Sequence, residues 1–288
     1  MRPSAPVTVL IFSSIAWGLS WMPLKYLSGR GVQGVPLIAI AYGAAFPLLA
    51  PILWRQRDFW RRDARSLLAI LFLGGYANLA FVSAMIYGEV TRVMVLFYLL
   101  PVWGVLGGRI FLRETIDTPR WLAVALALAG AFLVLGGLRA LQGAVSWVDL
   151  LALTAGLSFA LNNLIFRARQ SLPVASKVAA MFLGCFLLAA VAMVFGVQPW
   201  PQLDLPAWGL TAVFGLGWLM LATFATQWSV THLEAGRAAI LMIIELITAV
   251  ASASYFGHER MAPVEMLGGV LILAAAVIEA RRPSVVHG

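Results

Sequence analysis

Long apolar runs alternate with brief polar breaks along the whole chain. Each run is about 20 residues, the length a helix needs to cross roughly 30 Å of hydrocarbon. The pattern predicts ten spans: Val7–Leu27, Val35–Trp54, Ser66–Tyr87, Arg92–Leu112, Pro119–Leu138, Trp147–Phe166, Val174–Val197, Leu205–Val230, Arg237–Phe256 and Pro263–Ala280. Apolar positions are continuous within each run, whereas barrel strands would alternate over about ten residues, so helices are expected. No stretch is left to assign to a soluble domain.

The polar breaks repeat as well. A shift of 145 residues lays Glu89 on Glu234, Arg92 on Arg237, Phe111 on Phe256 and Glu114 on Glu259, with an almost uncharged run between the Arg and the last Glu in both copies. A constant offset near half of 288 residues is what a duplication leaves. The halves meet near Gln142–Val145, so residues 1–142 and 146–288 are the two expected repeats. Each holds five spans, an odd number, and the second copy therefore enters the membrane from the opposite side. The expected fold class is all-α: a polytopic membrane protein of ten transmembrane helices in two inverted-topology repeats of five. Such repeats give a bundle two related conformations, one open to each side, with substrate near the midplane between the halves. Transport is the leading role; the alternative is a duplication that merely enlarges a helical bundle.

Composition agrees. Hydrophobic residues are 62% of the chain and charged residues 11%, with a mean hydropathy of +0.92, against about 45–50% apolar and about 25% charged in soluble domains. A net charge of +8 is one that nucleic-acid binders also carry. The basic residues, however, sit in short inter-helix loops and form no separate basic domain, so nucleic acid is not an expected partner. With the N-terminus in the cytoplasm, fifteen of the 20 Lys and Arg lie inside, leaving Lys25, Arg30, Arg92, Arg139 and Arg260 outside. The expected location is the inner (cytoplasmic) membrane, with both termini cytoplasmic. Arg2 ahead of an apolar stretch could mimic a signal peptide, but that stretch runs on to Leu24 without a clear cleavage site and is read as the first span. Trp54, Trp60, Trp121, Trp147, Trp200 and Trp208 lie at span ends, where an amphipathic ring suits the headgroup zone.

Several motifs resemble a known family. The run Trp17-Gly18-Leu19-Ser20-Trp21, the spacing from Pro101 to Glu114, and Glu245 followed by Glu259-Arg260 resemble the EamA repeat of the drug/metabolite transporter superfamily. Small residues follow both acidic exits at equal distances, Ala123 and Gly130 after Glu114, Gly268 and Ala275 after Glu259. Seven-residue spacing puts each pair on one helix face, where small side chains permit close approach. The resemblance covers nearly the whole chain, and the aromatic-rich makeup further resembles the YddG-type aromatic amino-acid exporters of that family. It implies a basket of ten helices around a central cavity, and export of aromatic or other apolar amino acids. Leu246 stands where the family pattern often has proline after the glutamate, so no proline bend is expected in the ninth span.

The spans carry candidate chemistry. Trp17 and Trp21 are four apart and should share a face of the first helix, either as an aromatic cavity wall or as packing. Tyr98 and Trp103 flank Pro101, whose missing N–H and ring clash should bend the fourth span into a hinge. Asn78, Asn162 and Asn163 are costly in hydrocarbon unless hydrogen-bonded, so they should face the interior, as interhelical bonds or as substrate contacts. In the sixth helix Phe159 and Asn163 share one face, Asn162 and Phe166 another. The eighth span is polar down one flank, through Thr223, Thr226, Gln227 and Thr231, with Trp228 in the same stretch. Glu245 is the one acid well inside a span and is expected to face the cavity and bind a substrate ammonium group, or else to bond a neighbouring helix in protonated form. Glu89 with Arg92, and Glu234 with Arg237, are three apart and are expected to pair across a turn or cap the next helix, as structural or gating elements. At the matched depth Leu100 and Pro101 in one copy replace Glu245 and Leu246 in the other.

Other classes fit less well. The histidines, His232, His258 and His287, sit at span ends or in the tail, and no metalloprotease or serine-hydrolase motif occurs, so catalysis is not expected. Cys185 lies in an apolar run, which leaves neither a disulfide nor a Cys-based metal site, and no metal or cofactor is expected. A channel-like pore would use the same cavity-lining polar residues and stays open as an alternative. The expected partners are a small-molecule substrate and the lipid bilayer; a monomer is plausible.

Overall fold

A computed structural model describes residues 5–142, 144–256 and 262–282. The expected acidic exit at Glu259, together with Arg2, His258, Arg260, His287 and the side chain of Trp60, lies outside the described residues.

Ten helical spans build the described chain: α1 Ala5–Ser28, α2 Gly34–Arg55, α3 Ala64–Tyr87, α4 Val90–Leu112, α5 Thr118–Val134, α6 Trp147–Ala168, α7 Val174–Val194, α8 Leu205–His232, α9 Ala235–Phe256 and α10 Pro263–Arg281. All but α5 are long and apolar enough to cross a bilayer by themselves. The shorter α5 covers roughly 25 Å at 1.5 Å per residue, and a 3₁₀ turn, Gly137–Leu141, follows it. An additional short helix, Arg57–Arg62, carries part of the basic loop between α2 and α3. Trp54, Trp121, Trp147, Trp200 and Trp208 are all exposed at span ends or in loops, as their amphipathic rings require.

Four spans are interrupted. α1 divides into Ala5–Gly18 and Trp21–Ser28, because Pro23 cannot donate to the carbonyl of Leu19 and its ring crowds that carbonyl. α4 divides into Val90–Phe97 and Leu100–Leu112, and Pro101 stands in the same relation to Phe97. α8 carries a π-helical stretch, Phe214–Leu219. α9 divides into Ala235–Met242 and Ile244–Phe256, so a kink matched to that of α4 is present although Leu246 stands in place of proline. The break falls at Ile243, the position that the 145-residue shift matches to Tyr98, and is made by a 3₁₀-type turn from Ile243 N–H to the Ile240 carbonyl, 3.3 Å, without proline.

Packing follows the duplication. α1 packs on α8 as α6 packs on α3, α1 on α9 as α6 on α4, and α2 on α8 as α7 on α3. The equivalent pairs α2 with α7, α4 with α9 and α5 with α10 lie against each other. The α5–α10 crossing uses the small residues read from sequence: a Cβ on Gly130 would stand 2.6 Å from the Gly268 carbonyl oxygen, and one on Gly268 the same distance from that of Gly130. Ala123 and Ala275 on the same faces are fully buried. Small side chains let the helix backbones touch where no hydrophobic effect drives helices together in lipid.

Charged residues cluster at the two ends. At one, Arg92 grips Asp149 with two bonds, 2.6 and 2.8 Å, and donates to the Gln142 carbonyl, tying α4 to α6. At the other, Arg120 on α5 bonds Glu234 at the start of α9 and Glu279 on α10, and all three side chains are buried. Arg282 bonds Asp117, and Arg169 bonds Asp63 and Ser66. Lys177, near the start of α7, is fully buried and caps the end of α6, with Nζ donating to the carbonyls of Phe166 (2.8 Å) and Arg169 (3.1 Å) and to Thr231 Oγ1 (3.2 Å). A cation there complements the negative end of the helix dipole.

The repeated polar residues do not pair as expected. Glu89 is exposed and makes no side-chain cap bond. Glu234 goes to Arg120, and Arg237 donates to the Ala280 carbonyl at 2.9 Å. The cap on α9 comes from Glu114, whose two carboxylate oxygens accept the Ala235 N–H at 2.9 and 3.0 Å. Arg113, in the left-handed region at φ 58°, ends α4 and turns Glu114 back toward α9. Burial pushes the Glu114 carboxyl above the usual carboxylate range, opposed by the Ala235 N–H and by Arg167.

Candidate functional site

The breaks in α4 and α9 border a cavity of about 160 Å³ between the two halves. Every span except the α5–α10 pair contributes to it. Ser14 and Trp17 come from α1, Tyr42 from α2, Ala77, Asn78 and Phe81 from α3, and Phe97, Tyr98 and Leu100 from α4. Phe159 comes from α6, Met181 from α7, Thr223, Thr226 and Gln227 from α8, and Met242 and Glu245 from α9. An apolar cavity of about 150 Å³ accepts benzene, and drug-sized pockets run to roughly 300–1,000 Å³. The space is that of one aromatic ring and its substituent.

Rings form one side. Phe97 lies 4.5 Å from Phe81, 5.7 Å from Tyr98 and 6.1 Å from Phe159 between centroids, the last pair stacked. Tyr42 packs edge-on to Phe182 at 4.7 Å. The proline bend explains why Phe97 takes part. Pro101 leaves the Phe97 carbonyl without its helical donor, and the α6 backbone approaches so closely there that a Cβ on Gly156 would stand 2.7 Å from that oxygen.

Polar groups face the rings. Glu245 sits in the first turn of the second segment of α9, where the helix dipole favours a carboxylate. The Tyr98 hydroxyl donates to Glu245 Oε1 at 2.5 Å, joining the break in α4 to the break in α9. Among the described residues no cation is paired with Glu245, and no Lys, Arg or His lines the cavity. Tyr42 donates to Asn78 Oδ1 at 3.3 Å, and Thr226 to Ser13 Oγ at 3.0 Å. Thr223 Oγ1 is buried with no partner among the described residues.

Of the residues singled out from sequence, Trp17, Asn78, Tyr98 and Glu245 meet in the cavity, together with Leu100, Phe159 and three members of the polar flank of α8, Thr223, Thr226 and Gln227. Trp21 does not: the break after Gly18 ends the i, i+4 relation with Trp17, and its indole N–H donates to Ser252 Oγ at 2.8 Å. Trp103 packs into the core behind the cavity, its Nε1 without a described partner. Asn162 is fully buried and bonds Asn163 Oδ1 at 3.3 Å. Asn163 stands one layer back, accepting from Gln227 Nε2 at 3.2 Å. Trp228 packs at a tilt against His232, 4.8 Å between ring centroids, and is not part of the lining. Pro101 does mark a break, while Glu89, Arg92, Glu234 and Arg237 lie outside the cavity with the partners given above.

Sequence reasoning passed over Ser14, Tyr42, Phe81, Phe97, Met181 and Met242 as lining residues. Phe97 carried a signal, since it lies four residues before Pro101. The others are ordinary occupants of apolar spans, and only the packing of the helices turns them inward.

The EamA-like transporter family model matches the chain twice, over residues 5–136 and 146–279. A protein of Archaeoglobus fulgidus described as an uncharacterized transporter is 26% identical over 254 residues, covering 86% of this chain and 88% of that one. A crystal structure of another protein superposes with a TM-score of 0.79 at 15% identity, covering 98% of this chain and 100% of that one, a likeness of fold. With two copies of the family pattern laid over two five-helix halves, the chain belongs to the EamA-like transporter family.

Proposed function

We propose that the chain is an alternating-access carrier that exports small metabolites joining an aromatic or apolar body to an amino group. Aromatic and other apolar amino acids, the class implied by the sequence resemblance, and organic cations both meet that description. The observation that carries the proposal is the Tyr98–Glu245 contact in an aromatic cavity at the seam of the two repeats. An inverted duplication supplies two related conformations around such a midplane site. In this proposal Trp17, Asn78, Tyr98 and Glu245 contact substrate, and the Arg-rich end that holds Arg120 and Lys177 faces the cytoplasm of an inner membrane.

The test is flux from proteoliposomes of purified protein, with aromatic amino acids, other apolar amino acids and organic cations, with and without a pH gradient. Saturable flux accelerated by substrate on the far side is expected of a carrier. Non-saturating flux without that acceleration would make the protein a channel, and no flux of any member would end the exporter proposal. Glu245→Gln and Glu245→Ala proteins are expected to lose flux across the pH series.

A further inference from the structure

The charge content of the cavity narrows the substrate class. We propose that the site selects monocationic aromatic amines that lack a carboxylate over the zwitterionic amino acids of the same size. This rests on the cavity being the transport site.

One acid and no base line the space among the described residues. Glu245 spends Oε1 on the Tyr98 hydroxyl, and no other described residue bonds the carboxylate. An ammonium group entering here meets a carboxylate without a cationic partner, with Tyr98 and Trp17 also lining the space to offer ring faces. The pair is neutral, as a site in low dielectric requires. An amino acid brings a second carboxylate. Its ammonium can satisfy Glu245, but its own negative charge then has no counter-ion on the lining. The polar donors on the lining are neutral, the Asn78 amide and the Ser14 and Thr223 hydroxyls; Gln227 Nε2 is already committed to Asn163, the Thr226 hydroxyl to Ser13 and the Tyr42 hydroxyl to Asn78. Neutral donors can bond a hydroxyl or other polar substituent of the ligand, yet they leave a net charge of one buried among rings. The volume sets the size of the ligand and leaves the choice between cation and zwitterion to charge, since one ring and a short side arm fill the space that benzene-sized ligands occupy.

The test is calorimetric titration of the purified full-length protein at pH 7 with four matched probes. Phenethylamine and phenylalaninol are cations there, phenylalanine is a zwitterion and 3-phenylpropionate an anion. Both cations are expected to bind at least about tenfold more tightly than the other two, because the anion makes no ammonium contact and the zwitterion buries a carboxylate without a counter-ion. Glu245→Gln is expected to remove most of that gap. Tyr98→Phe, which keeps the carboxylate, is expected to preserve the ranking at lower affinity. Phenylalanine binding as tightly as phenylalaninol, no probe binding at all, or an undiminished gap in a folded Glu245→Gln protein would each overturn the proposal. Should Glu245→Gln not fold, the wild-type ranking decides alone. Cation-selective binding without any movement of the cations across proteoliposomes would refute the carrier function and leave the selectivity standing.

Discussion

Tyr98 and Glu245 come from different halves of the chain, 147 residues apart, and meet because each stands at a helix break. The Tyr98 hydroxyl fixes the carboxylate toward the cavity. Replacing Tyr98 with Phe keeps the ring and removes one hydrogen bond to a charged group. Ligand affinity should fall about tenfold or somewhat more, in line with roughly 1.5–3 kcal/mol for such bonds; unchanged affinity in titration would show that the contact plays no part in binding. Trp21→Phe makes the contrasting prediction. Its indole bonds Ser252 outside the cavity, so affinity should stay at the wild-type value while thermal stability drops by about 0.5–1.5 kcal/mol. Glu245 was legible in the sequence because a lone acid deep in an apolar span must face something polar. Trp17 was half legible. Trp21 was misplaced because a four-residue spacing marks one face only while the helix continues, and the interruption lies between the two tryptophans.

Helix ends and interruptions decide how the spans are held. Pro101 announced the break in α4, and Pro23 carried the same signal for α1, where it was passed over; the break at Ile243 has no local signature and is visible only through its match with Tyr98. The long-range partners of the charged residues were equally hidden. Spacing suggested Glu234 with Arg237, but tertiary packing brings Arg120 to Glu234 and Glu279 instead. Arg120→Ala leaves two buried carboxylates without their main cation, and a loss of about 3–5 kcal/mol is expected, read as a lower midpoint in thermal unfolding. A wild-type midpoint would mean that other groups neutralise the pair. At the same end the Arg282 guanidinium holds the Asp117 carboxyl below the usual aspartate range. The group therefore contributes stability above its unfolded pKa of about 3.9 and loses it as pH falls through the lowered value. Glu114 has the opposite sign, because burial raises it and protonation relieves that cost. Acid unfolding followed below about pH 4 should be less steep in Asp117→Asn than in the wild type. Identical acid profiles would show that the Arg282 pair does not act on stability.

At the scale of the molecule, the pseudo-symmetry holds for the main helix pairs and is broken in how one of them sits. The second segment of α4 packs tightly on the first segment of α9, where a Cβ on Gly104 would lie 2.5 Å from Ala239 Cβ. The remaining segments, Val90–Phe97 and Ile244–Phe256, are not among the closely packed pairs. Shifting by 145 residues maps Gly104 onto Ala249 and Ala239 onto Met94. Exchange of the two repeats' conformations would thus open the seam at Gly104 and close one at Met94 and Ala249, with the cavity between them. The ten spans, the duplication and the inversion were readable from hydropathy and one offset; which seam is closed was not, because both seams carry the same kind of small and apolar residues. The direct measurement is cross-linking of Met94→Cys with Ala249→Cys, in a Cys185→Ala background, by a short thiol reagent in proteoliposomes under a phenethylamine gradient. Alternating closure predicts that the two cysteines become bridged during turnover, that the bridged protein stops transporting, and that cleaving the bridge restores flux. Absence of bridging during active transport, or full transport by the bridged protein, would contradict it.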